Sequence, residues 1–317
     1  MKIVYTPSHL LHVPKYEVYE GEKSKYPEVP ERIEIIANEL RENGWKDFVR
    51  PKNYGLGILK RIHRANYVKM LRQRSRNTSL GNQSFPSYFT RDTYAPITNG
   101  TYFASKWAVN TALFGAELLK NGERLVYSLC RPPGHHAESV AMGGYCYFNN
   151  AAAAAEYLSD FGRVAILDID YHHGNGTQNI FYTRKDVLYV SLHADPDRKY
   201  PYVAGFSLEE GVGEGLGYNK NYPLSLKISE KKYLRILKNA IKDVRRFAPD
   251  FLILSAGFDT YKKDPIGGFG LDINSYMKIG RKISRLNLPT LIIQEGGYYV
   301  ADLGKMAISL IKGFERR

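Results

Sequence analysis

Short apolar runs, spaced along the chain and alternating with amphipathic stretches, constrain this sequence more than any other feature. The runs cover residues 2–5, 125–129, 164–169, 187–192, 251–255 and 290–293. Each has the length of a strand and is too continuously apolar to leave one face in water. Stretches with apolar residues three and four apart lie among them, at 32–40, 102–120, 149–158, 230–247 and 275–285. Leu234, Leu237, Ile241 and Val244 trace one such helical stripe, and Ser229 stands where its cap is expected. Strands buried on both faces and separated by helices require a parallel sheet with helices on both faces, an α/β fold. The 317 residues fit a single domain, 1–317, without internal repeats. Segments 14–30, 73–99 and 194–221 are rich in Gly, Pro and Ser and read as loops.

No apolar run is long enough to span a membrane, and the N-terminus lacks the apolar region and cleavage site of a secretion signal. Cys130 and Cys146 are too few for a disulfide framework or a four-cysteine zinc site, and their apolar neighbours suit buried, reduced thiols. A cytoplasmic protein is expected. The net charge of +13 is unevenly spread. Between residues 48 and 91 there is no Asp or Glu, but there are Arg50, Lys52, Lys60, Arg61, Arg64, Lys69, Arg72, Arg74, Arg76 and Arg91. This block suits an acidic or nucleic-acid-associated partner, or else a solvated helix face with a loop.

Ionisable residues gather just after the apolar runs, where an open parallel sheet places its chemistry. The run 164–169 leads into Asp170-Tyr171-His172-His173-Gly174-Asn175-Gly176-Thr177-Gln178. Side chains two apart in an extended chain share one side, so Asp170 and His172 can reach a single point. A carboxylate and an imidazole there suit a divalent metal, and they are costly against an apolar strand unless coordinated or paired. After 125–129 comes Arg131-Pro132-Pro133-Gly134-His135-His136-Ala137. After 251–255 comes Ala256-Gly257-Phe258-Asp259, and after 290–293 comes Gln294-Glu295-Gly296-Gly297-Tyr298. Packing alone does not account for four strand ends of this kind.

These motifs, with Gly143-Gly144-Tyr145-Cys146-Tyr147-Phe148-Asn149-Asn150 between them, resemble the arginase–deacetylase superfamily. The likeness is to the class II type histone deacetylases and the acetylpolyamine amidohydrolases, and it spans nearly the whole chain. It implies a central eight-stranded parallel sheet and one catalytic Zn2+ per chain, held by Asp170, His172 and Asp259. It also implies that His136 is the general base, that Asp168 orients His135, and that Asn175 is the partner of His136 where class I enzymes have Asp. Tyr298 would donate to the substrate carbonyl oxygen, and the Gly144 carbonyl would meet the substrate amide. Tyr145 and Tyr200 would wall a narrow tunnel. A K+ or Na+ ion would lie against Asp168, Ser191 and the carbonyls of Asp170, His172 and Leu192. Iron or cobalt also suits the Asp-rich set.

The implied activity is hydrolysis of the acetyl or short-acyl amide of a primary amine. Acyl-lysine in proteins competes with acetylpolyamines as substrate. The polyamine enzymes carry a glutamate where Tyr94 falls in this chain, and Asp92 resembles the rim aspartate that holds a peptide backbone. Ten cations near the expected rim would repel a polyamine, so the charge map favours acyl-lysine or a broad acylated amine. A non-catalytic acetyl-lysine reader associated with nucleic acid needs neither the metal set nor Tyr298. An arginase-like hydrolase needs further metal ligands that the sequence lacks.

Overall fold

The computed structural model describes residues 1–315; the last two residues of the expected domain lie outside the described residues. Its strands are β1 (Lys2–Val4), β2 (Tyr16–Tyr19), β3 (Glu22–Lys25), β4 (Phe48–Val49), β5 (Gln83–Ser84), β6 (Ile97–Thr98), β7 (Leu125–Ser128), β8 (Val164–Asp168), β9 (Val187–Ala194), β10 (Asn219–Leu224), β11 (Phe251–Ala256) and β12 (Thr290–Gln294). Eight of them form one sheet in the order β10-β9-β8-β11-β12-β7-β1-β4, with every neighbouring pair parallel.

Alternation along each strand feeds two cores. In β8, Ala165 and Leu167 join the side covered by helices Glu31–Glu42, Glu230–Phe247, Ile273–Ser284 and Val300–Glu315. Val164 and Ile166 join the opposite side, under Thr101–Lys120 and Asn150–Leu158. Each fully buried Leu or Ile contributes about 1.5–3 kcal/mol to this packing. The apolar runs therefore had to be continuous: neither face of the central strands meets water.

The structure departs from the sequence expectations at the edges. β4 is two residues long, and β10 (Asn-Lys-Asn-Tyr-Pro-Leu) is polar, as suits edge strands. Helix Val300–Glu315, which the sequence reading left unassigned, buries Leu303, Met306, Ala307, Leu310 and Ile311. Ala65–Asn77 is helical inside the basic block. The three segments read as loops are partly ordered: β2 and β3 pair as a hairpin within 14–30, β5 pairs with β6 within 73–99, and β10 begins before 221. Ser229 occupies the cap position but makes no capping bond; instead Asp272 and Ser275 form a reciprocal capping box that starts the next helix at Ile273.

Candidate active site

The C-terminal ends of β7, β8, β11 and β12 share one edge of the sheet, and the ionisable loops converge there. Asp170, His172 and Asp259 are buried, and their ligand-type atoms all lie within 4.8 Å of one another. His172 Nδ1 is 2.9 Å from Asp259 Oδ2 and 3.5 Å from Asp170 Oδ1. Backbone amides hold the carboxylates in place. Gly296 N–H donates to Asp170 Oδ2 at 2.8 Å, His172 N–H to Asp170 Oδ1 at 2.9 Å, and Tyr171 N–H to Asp259 Oδ1 at 2.9 Å. Gly257 allows β11 to come this close, since a Cβ there would fall 1.9 Å from Asp170 Oδ2. Burial, then Asp170, pushes the Asp259 carboxyl up to about 7. Burial opposes charge on His172, but hydrogen bonds with Asp170 and Asp259 raise it to about 9. Both shifts report negative charge converging on one point, the condition a divalent cation satisfies, and the nitrogen–oxygen donor set fits zinc.

Beside this cluster stand two imidazoles with opposite electrostatics. His135 Nδ1 is 3.0 Å from Asp168 Oδ2, and its Nε2 is 3.7 Å from Asp170 Oδ1. Burial opposes its charge, but Asp170 and Asp168 raise it to about 10. The His136 ring lies 4.0 Å away, centroid to centroid. Burial, then the charges of His135 and His172, holds His136 well below the usual range. The two neighbouring rings are thus pushed in opposite directions. His136 Nδ1 meets Asn175 Oδ1 at 2.8 Å. The carboxylate of Glu295, buried and raised to about 7 chiefly by burial, accepts the Gly134 and His135 N–H groups at 2.7 and 3.2 Å and so ties the end of β12 to the histidine loop. Its charge distinguished it in the sequence, but its partners did not.

A cavity of about 370 Å3 opens onto His136, His172 and Tyr298. Tyr145, Tyr200, Tyr94, Tyr19 and Tyr202 give it aromatic walls, and Tyr145 meets Tyr298 edge-on at 5.5 Å. Gly144 lines it against His136: a Cβ there would fall 2.4 Å from His136 Cδ2, and its φ of +51° suits glycine. The loop 265–266 and the β2–β3 hairpin complete it. The hairpin brings Glu17, Tyr19 and Ser24, none of which the sequence reading had identified. Glu17 Oε1 accepts from Ser24 Oγ at 3.3 Å, its buried Oε2 makes no hydrogen bond within 3.5 Å, and the Tyr145 hydroxyl stands beside the carboxylate. Burial raises the Glu17 carboxyl above its ordinary value.

Residues 26–314 match the histone deacetylase domain. The chain belongs to the histone deacetylase family. It is 41% identical to acetylpolyamine amidohydrolase 2 of Pseudomonas aeruginosa, over 99% of each chain. It is 32% identical to histone deacetylase 15 of Arabidopsis thaliana, over 93% of this chain and 53% of that protein. The crystal structure of acetylpolyamine aminohydrolase from Burkholderia pseudomallei superposes with a TM-score of 0.95 and 37% identity, covering 100% of this chain and 99% of that one. This chain is therefore an amide-hydrolysing enzyme of the arginase–deacetylase superfamily, with the expected eight-stranded sheet.

In this deacetylase Asp92 does not line the cavity. Its carboxylate accepts from Tyr200 Oη at 2.7 Å, Gly144 N–H at 2.9 Å and Tyr94 N–H at 2.8 Å, so it braces the wall. Nor does any residue of the basic block line it; Lys199 is the lining cation among the described residues. Lys52 pairs with Glu117, Arg61 with Glu156 at 2.5 Å and Asp160 at 3.0 Å, and Arg91 with Glu138 at 2.6 Å. For the expected monovalent cation, register places Asp168 beside Ser191, next to Leu192. Asp168 Oδ2 also accepts from Tyr189 Oη at 3.0 Å, and Ser191 Oγ meets His193 Nδ1 at 2.8 Å. No helix among the described residues is long and apolar enough to cross a membrane.

Proposed function

We propose that this deacetylase removes acetyl or another short acyl group from a free diamine or polyamine, using one zinc ion per chain. The observation that carries the substrate class is the buried Glu17 carboxylate in the wall of the cavity, whose Oε2 makes no hydrogen bond within 3.5 Å and has only the neighbouring Tyr145 hydroxyl as a protein donor near it. Such an oxygen is costly unless a ligand supplies a donor, and a distal ammonium supplies a charged one. The relatives named for acetylpolyamines agree with this reading. The repulsion expected from the basic block loses its force, because that block lies off the cavity and is partly neutralised. Acyl-lysine on a peptide is the competing substrate. The contact expected to hold its backbone, Asp92, already accepts three hydrogen bonds from the protein.

In this mechanism Asp170, His172 and Asp259 would hold the zinc, which when bound would supply Lewis-acid chemistry. His136 Nε2 takes a proton from the water and returns it to the leaving amine. Asp168 orients His135 through its Nδ1. Tyr298 Oη donates to the carbonyl oxygen as negative charge develops on it. The Gly144 carbonyl receives the substrate N–H, while Tyr145 and Tyr200 exclude water from the acyl chain. We assign K+ or Na+ to the site beside Asp168 and Ser191 as an electrostatic support for His135. Two buried, unpaired thiols, Cys130 and Cys146, agree with a reducing, cytoplasmic setting. Recruitment of nucleic acid through residues 48–91 has less support, given the ion pairs that engage Lys52, Arg61 and Arg91.

Turnover of acetylputrescine, acetylspermidine and an acetyl-lysine peptide by wild type and Glu17→Gln tests the substrate class. Polyamines should exceed the peptide in kcat/KM, and the variant should lose about tenfold or more on polyamines alone, the value of a charge-assisted hydrogen bond. A peptide preference unaffected by Glu17→Gln refutes the reading.

A further inference from the structure

Asn175 fills a position where a carboxylate would also serve, and an amide raises a problem that a carboxylate does not. A carboxylate presents oxygen whichever way it is turned. An Asn side chain rotated by half a turn exchanges Oδ1 for Nδ2 with almost no change of shape. With Oδ1 towards His136, ring Nδ1 carries the hydrogen and Nε2 keeps its lone pair for the cavity. With Nδ2 towards His136, Nδ1 must accept, Nε2 carries the hydrogen, and the base is lost.

Glu138 settles the choice. It lies two residues beyond His136 in the same loop and is 5% exposed. Its Oε1 accepts from Asn175 Nδ2 at 3.0 Å. Arg91 forks onto the same carboxylate, Nε to Oε1 at 3.1 Å and Nη2 to Oε2 at 2.6 Å. Main-chain bonds fix both ends: Glu138 N–H donates to the Ala141 carbonyl at 2.8 Å, and Arg91 N–H to that of Met142 at 2.9 Å. The group faces a second cavity, about 380 Å3, lined also by Gln178, Asn179 and Tyr182, so it reaches the histidine from behind rather than through the substrate pocket. A carboxylate held in a guanidinium fork accepts hydrogen bonds and gives none. A turned Asn175 would set oxygen against oxygen at Glu138, so only Oδ1 towards His136 satisfies every partner.

We infer that Glu138, fixed by Arg91, is a positioning residue that sets the orientation of the Asn175 amide and through it the tautomer of His136. The inference rests on the reading of His136 as the general base.

Glu138→Gln, of nearly the same shape, is the first test. Arg91 engages the glutamine oxygen, which turns its NH2 towards Asn175 and favours the wrong orientation. The expected result is a kcat about tenfold or more below wild type, with KM within twofold and an unchanged melting temperature. Combining Glu138→Gln with Asn175→Asp should restore kcat to within about threefold, because the new carboxylate accepts from His136 however it is turned and also from the glutamine. Imidazole 15N shifts of the zinc-loaded protein give a readout independent of turnover: His136 Nε2 should be unprotonated in wild type and protonated in Glu138→Gln. Wild-type kcat in Glu138→Gln, a double variant no better than the single one, or an unchanged tautomer each overturns the proposal. His136→Ala separates the parent reading. An active His136→Ala removes the general base, whereas the 15N shifts report on Glu138 whatever the activity.

Discussion

The guanidinium of Arg32 lies over the ring of Tyr298, its central carbon 4.8 Å from the ring centre, while its Nε donates to the Gly297 carbonyl at 2.6 Å. Its Nη2 reaches the Glu295 carbonyl at 2.5 Å and its Nη1 reaches Glu28 at 2.6 Å. One planar, fully buried fork thus holds both the backbone and the ring of the Tyr298 loop. A lysine keeps the charge but has a single nitrogen. Arg32→Lys should lower kcat by roughly tenfold, the worth of about one lost hydrogen bond to a charged group, with KM little changed. Steady-state kinetics on acetylputrescine measure this.

Tyr298→Phe removes the hydroxyl and nothing else. The expected loss is roughly 10²–10³ in kcat, with metal content and KM near wild type. A variant within threefold of wild-type kcat would take Tyr298 out of the mechanism.

Asp259→Asn replaces a ligand oxygen while leaving the other able to accept the Tyr171 N–H. Zinc per chain, measured by elemental analysis, should fall from about one to a small fraction, and hydrolysis should be lost with it. Circular dichroism should still report a folded domain, because the sheet is held by its two apolar cores. Full activity in wild-type protein stripped of metal would refute the assignment.

His63 makes stability depend on pH through a group outside the metal cluster. Its Nε2 accepts the Asn149 N–H at 2.9 Å and its Nδ1 meets the Glu138 carbonyl at 2.8 Å, so the ring is held neutral. Burial lowers it from 6.5 to about 4, against the opposing pull of the Glu138 and Ser139 backbone. A lowered folded-state value means that the unfolded chain binds the proton first. The contribution is complete above pH 6.5 and shrinks as pH falls towards 4, by up to about 3 kcal/mol. Urea denaturation at pH 7 and pH 5 should show wild type losing about 2 kcal/mol more than His63→Gln over that interval. Equal losses would show that His63 does not titrate this way.

Asp170 and His172 were legible because side chains two apart at the end of a buried strand share one side, whereas Asp259 joined them only through the family resemblance. Glu17 was not legible, because its hairpin is charged and short and β3 is fully exposed. Its one signal was Glu20-Gly21, a two-residue turn with positive φ at both positions (49° and 86°) between segments able to pair. The basic block shows a different limit. Sequence shows that 48–91 lacks acids, but Glu117, Glu138, Glu156 and Asp160 arrive from elsewhere in the fold. Glu138 shows the same limit at the site itself, since its bond to Asn175 joins a loop to the start of the helix Asn175–Phe181, which only the fold brings together.

Strand β12 lies between β11 and β7 in the interior of the sheet, yet it begins only at Thr290. Until it has emerged from the ribosome, β11 and β7 each present an unpaired, apolar edge, the kind of surface that recruits other chains. Its two ladders join Thr290 to Leu125 and to Leu252, so the first of them must close a loop over half the length of the protein. The middle of the sheet is made last. A chain halted before residue 290 is therefore a substrate for chaperones and aggregation, and soluble expression depends on how fast one five-residue strand finds its slot.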